Sequence, residues 1–253
     1  MKILLGGALG RMGQEVTAAA VEAQVEIVCG VDVAYTGQPS DYPIVTAFDQ
    51  ATQKADVLID FSRPSALPEL LQLVRKEKMP TVLCATGYNE AELQMIEEAS
   101  REIPVFRSAN MSLGVNVLRH LVQEAARALG EDFDVEIVER HHRMKADSPS
   151  GTALMLYDSV KEATETLRQP VFGRYGRTAQ RQPGEVGIHA VRGGTITGEH
   201  EVCFYGDGEE LILTHRAEKR SLFARGALRA AAFLMDKPAG KYDMQDLIEE
   251  MLR

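Results

Sequence analysis

Three glycines at a spacing of three residues follow the first apolar run of the chain. Residues 3–5 are apolar, Gly7, Gly10 and Gly13 come next, and an amphipathic stretch begins at residue 12. Such a turn needs glycine where the backbone angles disfavour a side chain and where a helix passes close to a strand. The pattern therefore predicts a strand, a tight turn and a helix, which together begin a parallel α/β sheet.

Short β-branched runs continue to alternate with amphipathic stretches through the first hundred residues. Besides residues 3–5, this alternation predicts strands at 26–31, 57–61, 81–84 and 105–107, and helices at 12–23, 64–78 and 90–103. Pro64 favours a helix start, and the hydroxyl of Ser62 is a candidate cap for that helix. We predict a Rossmann-like, doubly wound parallel sheet for this part of the chain.

After residue 111 the pattern changes to helices mixed with longer alternating strands. It predicts helices at 115–129 and 152–167 and strands at 133–140, 185–192, 195–205 and 209–217. Successive antiparallel strands are typical of an α+β domain with a mixed or antiparallel sheet. We expect the apolar helix predicted at 222–235 to pack back on the first domain, which would make that domain discontinuous. The predicted domains are 1–111 with 218–253, and 112–217.

Charge and composition narrow the classes of partner. The formal net charge is -9, which argues against nucleic acid or an anionic membrane as a partner. Arg11 interrupts the apolar start too early for a signal peptide. No run approaches the ~20 apolar residues of a membrane span. Cys29, Cys84 and Cys203 are widely separated in apolar runs and favour buried thiols in a reducing compartment. We expect a cytoplasmic protein.

An acidic residue stands where the second predicted strand ends. Asp32 follows Gly13 by nineteen residues, a position from which a carboxylate accepts hydrogen bonds from the ribose hydroxyls of a dinucleotide. The helix start after the glycines supplies N–H groups for a pyrophosphate. We therefore predict that residues 1–111 with 218–253 bind a dinucleotide, with NADH slightly favoured. Arg11 lies in the turn, within reach of a 2′-phosphate, and leaves dual use with NADPH open.

A dense basic segment lies in the second domain. Five of the six residues 140–145 are Arg, His or Lys: Arg140, His141, His142, Arg143 and Lys145. A charge run is often only a solvated face, but mutual repulsion in an acidic protein also suggests that an anion binds there. A histidine with a pKa near 6.5 can donate a proton at neutral pH, and a nearby lysine can stabilise negative charge.

A helix start follows the basic segment at once. Pro149 precedes Ser150, Gly151 and Thr152, so that hydroxyls and unpaired N–H groups lie at the positive end of a helix. The helix start is therefore a second candidate binding site for a carboxylate or phosphate. A metal site at the two histidines lacks a third ligand at suitable spacing, and Ser150 lacks the G-x-S-x-G elbow of a hydrolase nucleophile. We predict no metal.

Two other functions remain compatible with these residues. A reductase of another kind shares the glycine turn, and a semialdehyde dehydrogenase would need a cysteine nucleophile, for which Cys84 is the candidate near a strand end. A protein that only senses nucleotides would keep the turn and Asp32 but would not need the histidines and the helix start.

The basic segment and the helix start together resemble a family signature. Residues 136–153 resemble that of 4-hydroxy-tetrahydrodipicolinate reductase, also called dihydrodipicolinate reductase. Support comes from Gly7 to Gly13 with Arg11 and Met12, from residues 109–116, from Arg192-Gly193-Gly194 with Gly198-Glu199-His200, and from His215-Arg216-Ala217 leading to Arg220. The resemblance covers essentially the whole chain and implies an NAD(P)H-dependent reductase of diaminopimelate and lysine biosynthesis.

The resemblance also implies roles for individual residues. His141 would protonate the reduced substrate, and Lys145 would assist. The implied substrate-binding residues are His142, Ser150, Gly151, Thr152 and Thr86. The implied cofactor-binding residues are Gly7, Gly10, Arg11, Met12, Gly13, Asp32, Phe61, Thr86 and Gly87. The family is typically a homotetramer assembled through the second domain, here residues 112–217, so this domain would both bind the substrate and mediate oligomerisation.

Two positions depart from the family pattern. Cys84-Ala85-Thr86-Gly87 matches the family's Gly-Thr-Thr-Gly only in its second half, so any contact from Ala85 would come from its backbone. Met111 stands at a position that is often aromatic. Neither departure removes a proton donor or an anion ligand.

Overall fold

The computed structural model describes residues 1–164 and 169–252 and divides the chain into two units. The first unit comprises Met1–Leu113 and Arg220–Arg253, and the second comprises Gly114–Lys219. In the described residues, no helix is both long enough and apolar enough to cross a membrane.

The first unit is built on a seven-stranded sheet in which every neighbouring pair is parallel. Its strands are β1 (Lys2–Gly6), β2 (Glu26–Val31), β3 (Ile44–Val45), β4 (Val57–Asp60), β5 (Thr81–Leu83), β6 (Pro104–Arg107) and β12 (Gly240–Tyr242). They lie in the order β12-β6-β5-β4-β1-β2-β3. The order reverses at β1, as in a Rossmann fold, so the prediction of a doubly wound parallel sheet is confirmed.

Helices pack on both faces of this sheet. They are α1 (Arg11–Glu22), α2 (Leu67–Glu77), α3 (Glu90–Ser100), α6 (Ser221–Leu234) and α7 (Met244–Met251). One apolar cluster joins the sheet to α1, α6 and α7, and a second joins it to α2 and α3. Burial of both faces explains why the strands of this sheet are continuously apolar rather than alternating.

The second unit carries a mixed five-stranded sheet. Its strands are β7 (Asp134–His141), β8 (Gln169–Val171), β9 (Glu185–Arg192), β10 (Gly198–Tyr205) and β11 (Glu210–Ala217), in the order β11-β10-β7-β9-β8. Helices α4 (Leu113–Leu129) and α5 (Gly151–Ala163) contribute to the apolar core on one face. The mixed sheet was expected. Antiparallel pairing of the successive strands β9 and β10 is wrong, because β7 lies between them and pairs parallel to β9.

Other differences concern short elements and helix ends. The strands β3, β8 and β12 and the helix α7 were not predicted. The chain at Pro64 begins as a 3₁₀ turn, Pro64–Ala66, in which Arg63 is the N-cap and no side chain caps, so the predicted cap by Ser62 is wrong. Of the helix predicted at 152–167, α5 ends at Ala163, and residues 165–167 lie outside the described residues.

Candidate active site

The glycine turn of the first unit brings the chain back over the end of β1. Gly7 has a φ of +72°, and its N–H donates to the carbonyl of Val31 at 2.8 Å. A Cβ on Gly13 would collide with the carbonyls of Gly7 and Ala8. Glycine is therefore required at Gly7 for its backbone angle and at Gly13 for close packing of α1.

The first turn of α1 lacks a capping side chain. Gly10 is the N-cap, and it has no side chain that could accept hydrogen bonds from the N–H groups of the first turn. These groups and the helix dipole favour an anion at this position. The glycine turn therefore has the features of a pyrophosphate site.

Asp32 lies directly after β2, on the rim of the same turn. One carboxylate oxygen accepts the N–H of Leu9 and the other accepts the N–H of Ala34, both at 2.9 Å. These two hydrogen bonds hold the carboxylate against the glycine turn. Each carboxylate oxygen retains capacity for a further donor, such as a ribose hydroxyl.

A cavity of about 420 Å³ opens beside Asp32. It is lined by Gly7, Leu9, Gly10, Val31, Asp32, Val33, Ala34, Thr46, Ala47, Phe48, Phe61, Ser62, Arg63, Ser65, Ala66 and Glu69. The Oγ atom of Ser62 is buried and has no hydrogen-bond partner among the described residues. A cavity that contains both this unpaired hydroxyl and the glycine turn fits a dinucleotide well.

Four of the predicted cofactor residues line this cavity: Gly7, Gly10, Asp32 and Phe61. Arg11, Met12, Gly13, Thr86 and Gly87 do not line it. Arg11, Thr86 and Gly87 are exposed at the ends of the turn and of β5. Arg63 was missed by the sequence analysis, although its position three residues after the end of β4 is a sequence signal for a ligand contact.

Cys84 lies beside a buried carboxyl group. Burial, and then the nearby charge of Asp60, raise the pKa of the Cys84 thiol well above its ordinary value. A thiol in this state is a poor nucleophile. The geometry therefore gives no support to a semialdehyde dehydrogenase that would use Cys84.

In the second unit, a carboxylate holds the histidine that ends β7. The Nδ1 atom of His141 lies 2.6 Å from Oε2 of Glu139, two residues earlier on the same face of the strand. Both side chains are buried. Because a carboxylate only accepts hydrogen bonds, we infer that Nδ1 carries a proton and that Nε2 is the atom that exchanges one.

Glu139 is itself held from two directions. Arg192, on β9, donates to both carboxylate oxygens at 2.7 Å, and the N–H of Ser150 donates to Oε1 at 2.9 Å. Arg192 also donates to the carbonyl of Asp147 at 2.7 Å. With His141 included, Glu139 takes part in four hydrogen bonds, which is about the full capacity of a carboxylate.

These contacts set the ionisation of the pair. Burial raises the pKa of Glu139, but the hydrogen bonds from Arg192, His141 and Ser150 outweigh it, so that the pKa lies below its ordinary value. Burial lowers the pKa of His141; Glu139 opposes that effect, and Lys145 and Arg192 add to it. His141 is therefore neutral at pH 7 in the free protein, and an anion nearby would favour its protonated form.

A second histidine lies against the first. The rings of His141 and His200 meet edge to face with their centroids 5.1 Å apart, and Nε2 of His200 lies 2.9 Å from Oγ of Ser150. Burial, and then the nearby His141, lower the pKa of His200 to about 3. His200 is therefore an uncharged neighbour of His141.

The start of α5 lies next to these residues. Ser150 is its N-cap and accepts the N–H of Ala153 at 3.2 Å. Ser150 is buried, whereas a Cβ on Gly151 would meet nothing within 4 Å. The open side of this helix start is thus at Gly151, and the hydroxyl of Ser150 is engaged with the cap and His200. Binding of a substrate by Ser150, Gly151 and Thr152 stays a prediction.

The basic segment divides between the two faces of the sheet. Arg140 points to the opposite face from His141 and pairs with Glu199 at 2.9 Å, so it does not add to an anion site with His141. Lys145 pairs with Asp147 at 2.9 Å. His142 follows the end of β7, is half-buried, and donates its backbone N–H to the carbonyl of Ile196 at 2.7 Å.

Three residues of this site had no predicted catalytic or binding role: Glu139, Arg192 and His200. The spacing of two between Glu139 and His141 is a signal for a shared strand face. The approach of Arg192 and His200 depends on the register of β7 with β9 and β10. Among residues 1–164 and 169–252, no cluster of three or more His, Cys, Asp or Glu side chains is arranged to hold a metal ion.

A Rossmann-like unit with a nucleotide cavity, and a second unit with a carboxylate-held histidine beside a helix start, define a dinucleotide-dependent oxidoreductase. Residues 1–111 match the family model of the dihydrodipicolinate reductase N-terminus, and residues 114–248 match that of its C-terminus. The chain belongs to the dihydrodipicolinate reductase family.

Individual relatives agree with this membership. The chain is 49% identical over 251 residues to the 4-hydroxy-tetrahydrodipicolinate reductase of Caldanaerobacter subterraneus subsp. tengcongensis, with 99% of each chain covered. It is 44% identical to that of Clostridium tetani, over 98% of this chain and 97% of the relative. A dipicolinate-bound dihydrodipicolinate reductase from Paenisporosarcina sp. TG-14 has the same fold, with a TM-score of 0.78, 22% identity, and 96% and 97% of the two chains covered.

Proposed function

We propose that this chain reduces 4-hydroxy-tetrahydrodipicolinate in the diaminopimelate and lysine pathway. Loss of water from that compound gives dihydrodipicolinate, and addition of one hydride and one proton gives tetrahydrodipicolinate. A bound NADH or NADPH supplies the hydride. Nearly full-length identity of 41–49% to enzymes of this name supports the reaction.

His141 supplies the proton in this proposal. Its Nδ1 atom is bound to Glu139, so Nε2 faces the substrate. The two carboxylates of the substrate raise the pKa of His141, which is low in the free protein, and charge it when the substrate binds. General acids of this kind contribute about 10²–10⁴-fold to rate.

The helix start and Lys145 bind the substrate carboxylates. The backbone N–H groups of Gly151 and Thr152 lie at the positive end of α5, where the dipole favours an anion. When the substrate binds, Lys145 leaves its ion pair with Asp147 and pairs with a substrate carboxylate, whose negative charge it stabilises. His142 contributes a further polar contact. Ser150 acts by holding the helix start in place.

Asp32 favours NADH over NADPH. Its carboxylate accepts the ribose hydroxyls and repels a 2′-phosphate, and the next residue, Val33, is exposed and uncharged. Arg11, in the turn, and Arg63, in the lining of the cavity, are exposed cations that would permit some use of NADPH. The variant D32N should lower the ratio of kcat/KM for NADH to that for NADPH by about tenfold; an unchanged ratio would exclude Asp32 as the selector.

The second unit assembles the protein into a homotetramer. The face of its sheet opposite His141 carries the exposed apolar side chains of Val191, Tyr205 and Ile212. Apolar side chains on one face of a sheet are typical of an interface between subunits.

The hydrogen bond between Glu139 and His141, beside the open start of α5, is the observation that carries the catalytic assignment. The test follows oxidation of NADH and of NADPH with freshly prepared 4-hydroxy-tetrahydrodipicolinate. The variants H141Q and K145A should each lower kcat by about a hundredfold, with an unchanged thermal midpoint. H120Q, on α4, is the matched control. Wild-type turnover in both H141Q and K145A would refute the assignment.

A further inference from the structure

The carboxylate of Glu139 connects the proton donor to the helix start. Its Oε2 lies 2.6 Å from Nδ1 of His141, while its Oε1 accepts the N–H of Ser150 at 2.9 Å. Arg192 bridges both oxygens. One buried carboxylate is thus shared by the two parts of the site that act on the substrate.

We propose that Glu139 is the positioning residue of the reaction: clamped by Arg192, it holds His141 as the Nδ1–H tautomer with Nε2 toward the substrate, and it anchors the start of α5. This inference rests on the proposed role of His141. Glu139 touches neither substrate nor cofactor in the proposal, and it acts through His141 and Ser150.

Among residues 1–164 and 169–252, Glu139 is the one anion that acts on the ring of His141. The groups that face the ring are Glu139 on β7, Lys145 beyond the end of β7, Arg192 on β9, and the neutral His200 on β10. Two of these are cations that disfavour the charged imidazole. Loss of the charge of Glu139 would therefore make His141 harder to protonate.

The same strand carries a matched control. Glu136 is held by Arg174, Arg181 and His189 on the other face of β7, so its carboxylate also has guanidinium and imidazole partners. The variants E139Q and E136Q each remove from β7 one negative charge that has guanidinium and imidazole partners. They differ in which histidine is affected.

The first measurement needs no variant of Glu139. In uniformly ¹⁵N-histidine-labelled wild-type protein, with H141Q used for assignment, His141 above its pKa should show a protonated Nδ1 and an unprotonated Nε2. The reverse tautomer would overturn the proposal. This readout is independent of turnover, so it is informative whether or not E139Q folds.

The second measurement compares the variants. E139Q should lower the pKa of His141 in the ¹⁵N titration, move the alkaline limb of kcat/KM to lower pH, and reduce kcat at least tenfold. E136Q should leave the His141 titration in place. An unchanged His141 titration in folded E139Q would overturn the positioning role, while a loss of turnover in H141Q would still support the proposed function. Wild-type turnover in H141Q would refute the proposed role of His141 and, with it, the positioning role of Glu139.

Discussion

Gly198 lies against the Nε2 atom of His141: a Cβ built on Gly198 would lie 3.0 Å from that nitrogen. The ring cannot easily move away, because Glu139 holds Nδ1 and His200 packs against its edge. The absence of a side chain at Gly198 thus leaves space next to Nε2.

Substitution of this glycine should affect chemistry more than folding. We expect G198A to lower kcat/KM at least tenfold, because the methyl group crowds Nε2 and blocks the approach of substrate. Its free energy of unfolding should change by about 1 kcal/mol or less, since alanine suits a strand better than glycine. Steady-state kinetics measure kcat/KM, and urea denaturation measures the free energy of unfolding. G193A, where a Cβ meets nothing within 4 Å, is the control, and equal kcat/KM in the two variants would contradict the expectation.

A buried histidine makes the second unit sensitive to acid. The pKa of His200 is about 3 in the folded protein, because of burial, against about 6.5 in the unfolded chain. The unfolded chain binds the proton between these values, so stability is present above pH 6.5 and is lost as the pH falls toward 3. Between pH 6.5 and 5 the loss from this group is about 2 kcal/mol. H200Q should remove that part of the slope in urea denaturation; an unchanged slope would exclude His200 as its source.

How far the sequence predicts this protein depends on whether a signal is local. The strands β1 and β2, the glycine turn and the helix α1 are encoded in contiguous patterns, and the predicted Rossmann-like sheet is confirmed. The two-residue strand β3 and the short strands β8 and β12 were missed because they are defined by pairing with neighbours rather than by their own residues.

The candidate site, too, could be predicted only where its residues are neighbours in the chain. His141, His142 and Lys145 stand together in the chain and were selected from it. Arg192 and His200 belong to other strands, and their approach to β7 follows from a strand register that no contiguous motif contains. Arg140 shows the converse: it neighbours His141 in sequence but lies on the other face of the sheet.

A buried carboxyl group gives the stability of the first unit a pH dependence opposite in sign to the one that His200 gives the second unit. Burial raises the pKa of Asp60 to about 6, and its main hydrogen-bond donor is Ser62. The folded chain holds the proton between about 3.9 and 6, so the stabilisation is present below pH 3.9 and lost as the pH rises through 6. The whole loss is about 3 kcal/mol.

The variant D60N tests this pH dependence directly, because the asparagine amide keeps a hydrogen-bond acceptor for Ser62 without the charge of Asp60. We expect D60N to be more stable than wild type at pH 8, by about 1–3 kcal/mol, and to show a smaller fall in stability between pH 4 and 6. D49N, at an exposed position in the same unit, should change neither quantity. A lower stability of D60N at pH 8 would mean that the ionised carboxylate stabilises the fold.

The exposed apolar face of the second unit leads to a prediction about assembly. Ile212 and Leu211 are adjacent on β11 and similarly exposed, but they point to opposite faces of the sheet. If the tetramer forms through the face that carries Ile212, a glutamate there places a charge in an apolar contact, which costs several kcal/mol for each interface. Wild type should have four times the 27.8 kDa chain mass by light scattering, whereas I212E should dissociate. L211E is the control and should remain tetrameric. Dissociation of L211E with an intact I212E tetramer would place the interface on the opposite face.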